Sequence, residues 1–257
     1  MSKPCIAILG AGPTGLEAAL TAAEAGHPFT VYEAAPTVAG NVRAWGHVRL
    51  FTPWEMNVSP RMRRHLEAAG RAVPGGPECP TGRDLAERLL TPLAELPEIA
   101  PHLKLGTRVL GIGRRGLLKH EEIATAERGR QPFRLLLSDG AGREWTEEAD
   151  VVIDATGTWE NPNTLGDGGI PAPGERALGV EIRRDIPDLA AERSDWAGKT
   201  ILLAGAGHSA QTAARALAES HLTYPGVSFN PAPTPSPAAR APGTGRTPPA
   251  LSAGPRW

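Results

Sequence analysis

Cys5-Ile6-Ala7-Ile8-Leu9-Gly10-Ala11-Gly12-Pro13-Thr14-Gly15-Leu16 is the stretch that decides the architecture of this chain. Residues 5–9 are apolar and few, as a parallel strand covered on both faces must be, and they run straight into glycine. Leu16 to Glu24 is alanine-rich and helix-prone, and it closes at Gly26, a natural left-handed C′ residue. Phe29 to Tyr32 reads as a second buried strand ending at Glu33. Strand, helix and strand within roughly thirty residues make a βαβ unit, so the fold class is α/β.

The turn inside that unit has the chemistry of a phosphate site. Gly10 permits the tight turn, Gly12 lets the backbone approach a pyrophosphate, and Gly15 lets helix and strand pack closely. Pro13 and Thr14 lie in the turn that leads into the helix, whose unpaired N–H groups and positive end suit phosphate. Glu33 follows at roughly the twenty-residue spacing at which a carboxylate accepts hydrogen bonds from ribose hydroxyls. Glycines serving only a tight turn are the competing reading, and the strand–helix–strand–Glu setting speaks against it.

A second entry of this kind lies further on. Thr200 to Ala204 is an apolar run, Gly205-Ala206-Gly207-His208-Ser209-Ala210 follows it, and Gln211 to Ser220 is an alanine-rich helix. Ala210 takes the place of the third glycine, a variant this fingerprint tolerates. Gly205, Gly207, His208 and Ser209 are therefore candidate cofactor contacts. His208 suits a phosphate or a nicotinamide ribose, and equally suits a solvent-facing position. Between the two motifs, Val151 to Asp154 reads as a buried strand ending in Ala155-Thr156-Gly157. Phe133 to Leu137 and Glu144 to Thr146 flank Asp139-Gly140-Ala141-Gly142, a hairpin signal. Arg61 to Ala69 and Thr81 to Leu96 read as helices, the second starting from an N-cap at Thr81. Gly40 to Pro60 is irregular and carries Trp45, Phe51 and Trp54, which marks a functional loop rather than a disordered one.

Composition bounds the rest. The 257 residues carry a formal net charge of -1 with 21% charged residues, so no global field recruits nucleic acid or an acidic membrane. Cys5 and Cys79 are the two cysteines; they form neither a disulfide framework nor a metal-ligand spacing, which suits a reducing cytoplasm. No segment approaches the roughly 20 apolar residues of a membrane span, so a soluble cytoplasmic protein is expected. After about Tyr224 proline and alanine dominate, acidic residues vanish, and residues 225–257 read as a disordered tail.

The paired glycine motifs, with Ala155-Thr156-Gly157 between them, resemble FAD/NAD(P)-binding flavoproteins of the flavin-containing monooxygenase and pyridine nucleotide reductase type, over approximately Pro4 to Tyr224. The resemblance implies a Rossmann-like FAD-binding domain over residues 1–165 and a partial second Rossmann-like NAD(P)-binding unit over 166–224. It implies that Gly10, Gly12, Gly15 and Glu33 hold FAD and that the later glycine motif takes NADPH or NADH. Gly40-Asn41-Val42-Arg43-Ala44-Trp45 resembles the family's loop beside the flavin, which makes Arg43 and Trp45 candidate contacts; where the family often has Gly-Gly, this chain has Ala39-Gly40. Trp45 and Trp54 as core fillers are an equal alternative. Disulfide reductases use two neighbouring cysteines, which Cys5 and Cys79 are not, and this leans toward monooxygenase chemistry on a small-molecule substrate. The second dinucleotide unit is short: Val227-Ser228-Phe229 starts a strand that Asn230-Pro231-Ala232-Pro233 stops, so the chain reads as truncated. Two functions therefore stand: an NAD(P)H-using flavoprotein oxidoreductase, and a dinucleotide-binding module without turnover. A single-Rossmann aromatic hydroxylase is a third, which the second glycine motif argues against.

Overall fold

The computed structural model describes residues 3–223 and 228–231. The expected disorder of the tail beyond 224 concerns residues that, apart from 228–231, lie outside the described ones. The chain divides into two compact units, Met1–Asp188 and Leu189–Trp257.

In the first unit β1 (Ile6–Leu9), α1 (Pro13–Glu24) and β2 (Phe29–Tyr32) form the βαβ unit read from the sequence. Gly26 ends α1 with a φ of 65°. The segment 40–60 is not the plain loop expected, because two short helices sit within it, α2 (Gly40–Ala44) and α3 (Trp54–Asn57). Neither is long enough to show a helical period in sequence, and α3 exists to sink Trp54 into the core, where it is 1% exposed. Next comes α4 (Pro60–Ala68), whose N-cap Ser59 accepts a hydrogen bond from the Met62 N–H.

The helix expected over 81–96 forms as α5 (Gly82–Leu85), a π-helical turn (Ala86–Leu90) and α6 (Thr91–Ala94). Thr81 and Asp84 close a reciprocal capping box at its start. The widened turn has a cause in the sequence. Pro92 has no N–H and its ring would crowd the carbonyl four residues back, and the π turn, with the Thr91 N–H bonded to the Ala86 carbonyl, lets the helix continue.

Two strands follow that the sequence reading missed, β3 (Leu103–Lys104) and β4 (Thr107–Arg114). The first is two residues long, and the second is interrupted by Gly111 and Gly113, so neither carries a clear strand signal. After α7 (Ala126–Arg130), β5 (Phe133–Asp139) and β6 (Glu144–Ala149) make the expected hairpin, longer than its sequence signal. Asp139 Oδ1 accepts from the N–H groups of Ala141 and Arg143 and fixes the turn. Then β7 (Val151–Asp154) returns to the first sheet, and α8 (Glu175–Leu178) lies in the irregular segment behind it.

β1, β2, β3 and β7 form one parallel sheet in the order β3-β2-β1-β7, while β4, β5 and β6 form an antiparallel sheet. Alternation along β1 sorts its side chains between two layers. Ile8 faces the helices and packs with Leu16, Leu20, Val31, Leu66, Leu89 and Leu93. Ala7 and Leu9 face the antiparallel sheet and pack with Tyr32, Leu135, Leu137 and Ala149.

The second unit holds α9 (Arg193–Trp196), β8 (Thr200–Leu203), α10 (His208–Thr223) and β9 (Ser228–Pro231). β8 and β9 pair in parallel, with Asn230 and Pro231 inside the strand that the sequence reading ended before them. α10 buries Ala213 and Leu217, whereas Leu202 on β8 is 73% exposed.

Candidate functional site

A cleft of about 800 Å³ opens at the carboxyl ends of β1, β2 and β7 in the first unit. That is where open α/β sheets bind ligands, and the volume falls in the range of small-molecule sites. The glycine turn forms its floor. The Gly10 N–H donates to the Tyr32 carbonyl at 2.7 Å, and the Ala155 N–H to the Leu9 carbonyl at 2.9 Å, so three strand ends are tied together there. Gly10 has a φ of 96°, and a Cβ on it would stand 2.7 Å from the Ala155 carbonyl oxygen. A Cβ on Gly15 would run into the Gly10 carbonyl oxygen. Both glycines are thus required by the protein's own packing.

Gly12 is different. Its backbone is extended, with φ −84° and ψ −171°, and a Cβ there would meet nothing within 4 Å. No protein contact asks for a glycine, yet the position lines the cleft at the N-terminus of α1. Pro13 at the first helical position has no N–H to orphan, and no side chain among the described residues caps the helix. The N–H groups of its first turn therefore face the cleft without a capping side chain, the arrangement that receives an anion.

Glu33 lies at the end of β2, lining the cleft at 9% exposure. Its Oε2 accepts the Ala11 N–H at 2.7 Å and its Oε1 the Ala35 N–H at 2.9 Å. A carboxylate has about four acceptor sites, so these two bonds orient it and leave capacity for ligand hydroxyls. Across the floor, Asp154 Oδ1 accepts both the Thr156 hydroxyl at 2.7 Å and the Thr156 N–H at 3.1 Å. These bonds hold the Asp154 carboxyl below its ordinary range and set the Ala155-Thr156-Gly157 turn as one wall.

Gly10, Gly12, Pro13, Thr14, Glu33, Trp45, Ala155, Thr156 and Gly157 are thus brought to one cleft. Gly15 stands behind it as a packing residue. Trp45 lines the cleft and also packs on the core, with its ring where a Cβ on Gly82 would lie. Arg43 is spent elsewhere. Its Nε donates to the Val38 carbonyl at 3.1 Å and its Nη2 to the Thr91 hydroxyl at 2.8 Å, so it ties α2 to α6. Ala39 takes the left-handed conformation, φ 61°, at the place where the resembling family often has its first glycine. In the second unit Gly205 has a φ of 122° at the turn, and His208 and Ser209 begin α10, exposed.

The sequence reading missed the cleft's far wall, Thr107 to Ile112 of β4 together with Trp159 and Glu160. Thr107 is buried and its N–H donates to the Glu33 carbonyl at 2.8 Å. Arg108 holds Glu160 through two bonds, at 2.9 and 3.2 Å. Behind the wall, Glu147 accepts from the Tyr32 hydroxyl at 2.6 Å, from Trp145 Nε1 at 2.9 Å and from Lys104 Nζ at 2.7 Å, joining the two sheets. Burial pushes the Glu147 carboxyl up, but these three donors together outweigh it and leave it below its ordinary range. Burial and the bond to Glu147 push the Tyr32 phenol far up, so it stays a donor. Among the described residues no helix is long and apolar enough to cross a membrane, and no group of three or more ligating side chains could hold a metal ion.

None of the curated protein sequences compared with the chain matches it. Solved structures do. The FAD-bound cadaverine monooxygenase of desferrioxamine biosynthesis from Erwinia amylovora is similar over 90% of this chain and 51% of its own length, at 14% identity and a TM-score of 0.61. A flavin monooxygenase mutant from Stenotrophomonas maltophilia is similar over 90% of this chain and 58% of its own, at 22% identity and a TM-score of 0.55. The bacillithiol disulfide reductase of Bacillus cereus is similar over 85% and 56%, at 17% identity and a TM-score of 0.50. The chain thus spans little more than half the length of these proteins, and at such identities the likeness is one of fold. The sequence carries the relationship further, because residues 4–224, which hold both glycine turns and the wall between them, match one family model. The chain belongs to the pyridine nucleotide-disulphide oxidoreductase family.

Proposed function

We propose that the first unit holds the ADP half of FAD and that the protein is an NAD(P)H-using flavoprotein oxidoreductase acting on a small molecule. The observation that carries this reading is the open space at Gly12, a glycine that no protein contact requires, at the uncapped start of α1. The residues fit the cofactor. The first turn of α1 would take the pyrophosphate, Glu33 the ribose hydroxyls, and Ala155 to Gly157 with Trp45 would wall the cleft and exclude water. FAD, when bound, supplies hydride acceptance and oxygen activation, chemistry that belongs to the cofactor. Gly205, Gly207, His208 and Ser209 would place NADPH or NADH at the start of α10.

The cysteines favour monooxygenase over disulfide chemistry. Burial raises the Cys5 thiol, and the Asp150 and Glu147 carboxylates raise it further, the opposite of a reactive thiolate. Cys79, the other cysteine in these 257 residues, is far from it in sequence, so this stretch holds no neighbouring pair of the kind disulfide reductases use. A second reading, dinucleotide binding without turnover, is favoured by the exposed Leu202 on β8. The test is made on the purified full chain. Flavin absorbance after reconstitution with FAD supports the first clause, and NADPH or NADH oxidation coupled to oxygen uptake supports turnover. Flavin binding with no oxidation of either nucleotide selects the second reading, and no binding of FAD or ADP refutes both.

A further inference from the structure

Arg108 lines the proposed nucleotide cleft, and its guanidinium is bonded to Glu160. It follows Thr107, whose N–H is bonded at 2.8 Å to the carbonyl of Glu33, the residue assigned to the ribose hydroxyls. Both Arg108 and Glu33 line the cleft, and the guanidinium lies within the electrostatic field of Glu33. Its two bonds to Glu160, from the loop after the Ala155-Thr156-Gly157 turn, occupy the fork that a phosphate would otherwise take. In dinucleotide folds an acidic residue near the ribose selects a free 2′-hydroxyl, whereas an arginine nearby accommodates a 2′-phosphate. This cleft carries both types of residue, and a third group decides between them.

We propose that Glu160 is a specificity-determining residue: by claiming Arg108 it keeps the ribose site selective for nucleotides with a free 2′-hydroxyl and rejects those bearing a 2′-phosphate. The inference rests on the assignment of the first unit to a nucleotide. Glu33 and Glu160 both line the cleft, and with Arg108 neutralised by Glu160 a dianionic substituent at the ribose would meet net negative charge. The ion pair is about half exposed on both sides, so it costs little to break and its removal leaves the fold intact.

The experiment compares AMP with adenosine 2′,5′-bisphosphate, by calorimetric titration of the full chain and of Glu160→Ala and Arg108→Ala/Glu160→Ala variants. The wild type should prefer AMP. Glu160→Ala should shift the ratio of the two affinities by about tenfold toward the bisphosphate, the size of one charge-assisted hydrogen bond gained. The double variant should lose that shift. A ratio unchanged in Glu160→Ala, or a shift that persists without Arg108, overturns the proposal while leaving the nucleotide assignment standing. A wild type that binds neither AMP, ADP nor FAD overturns the assignment and this inference with it.

Discussion

Replacing Gly12 by valine separates what the glycine turn does for the fold from what it does for a ligand. The backbone at Gly12 is extended, and a Cβ there has no protein atom within 4 Å, so the folded chain accepts the side chain without collision. The cost to stability is that of a poorer N-cap, about 1 kcal/mol, or roughly 2–4 °C in Tm for a domain of this size. Binding should suffer far more, because the side chain would stand where the proposed pyrophosphate approaches the first turn of α1. Losing one or two charged hydrogen bonds corresponds to roughly 2–4 kcal/mol, or about 30- to 1000-fold in the Kd for ADP or FAD. Gly10→Val is the control with the opposite signature. There the left-handed φ of 96° and a Cβ at 2.7 Å from the Ala155 oxygen attack the fold itself. We expect a loss of about 3 kcal/mol or more. Thermal unfolding of the free chains and calorimetric titration with ADP and FAD read the two quantities independently. A Gly12→Val chain that binds both ligands as tightly as the wild type removes the phosphate from this turn; one that melts as early as Gly10→Val shows that the space was not open.

Glu33→Ala should weaken ADP binding by about 1–3 kcal/mol and also lower Tm, since it strands the Ala11 and Ala35 N–H groups; titration with an unchanged Kd would dissociate Glu33 from the ribose. Glu175 is buried, and its ion pair with Arg184, helped by the N–H groups of Ala172 and Leu165, lowers its carboxyl from the ordinary 4.5 to about 2. A depressed folded pKa stabilises above the unfolded value and is lost as pH falls, so pepsin should cut the 165–184 segment increasingly between pH 4.5 and 2. In Glu175→Gln that pH dependence should flatten, and an unchanged profile would acquit this carboxyl. Hydrogen exchange should find the amides of Ile201–Leu203 less protected than those of Ile6–Leu9, because β1 is paired on both sides by β2 and β7; equal protection would mean β8 is anchored as well as β1.

What could be read from sequence was whatever is written locally. The first βαβ unit, the glycine turns, the Thr81 cap and the Asp139 hairpin each depend on residues a few positions apart. The far wall of the cleft does not. Thr107 reaches Glu33 only because β3 sets β4 beside the end of β2, and the two residues of β3 are too few to show any period. Arg43 shows the same limit: its place in a loop like the family's flavin loop is local, but its bond to Thr91 joins residues 48 positions apart and could not be read from the loop. The helices inside 40–60 escaped notice because one buried tryptophan, not a repeating pattern, holds α3 in place.

The central position of β1 has a consequence for how the protein is made. One edge of β1 pairs with β2 almost at once in synthesis, but the other waits for β7, and the Cys5 N–H donates to the Asp150 carboxylate 145 positions further on. The turn at Ala155 that buttresses Gly10 comes later still. A nascent chain on the ribosome therefore displays the glycine turn long before it has a cleft around it. The cofactor proposed for this cleft would find it complete only after residues near 160 leave the exit tunnel, and until then the unpaired edge of β1 is a surface for chaperones to guard.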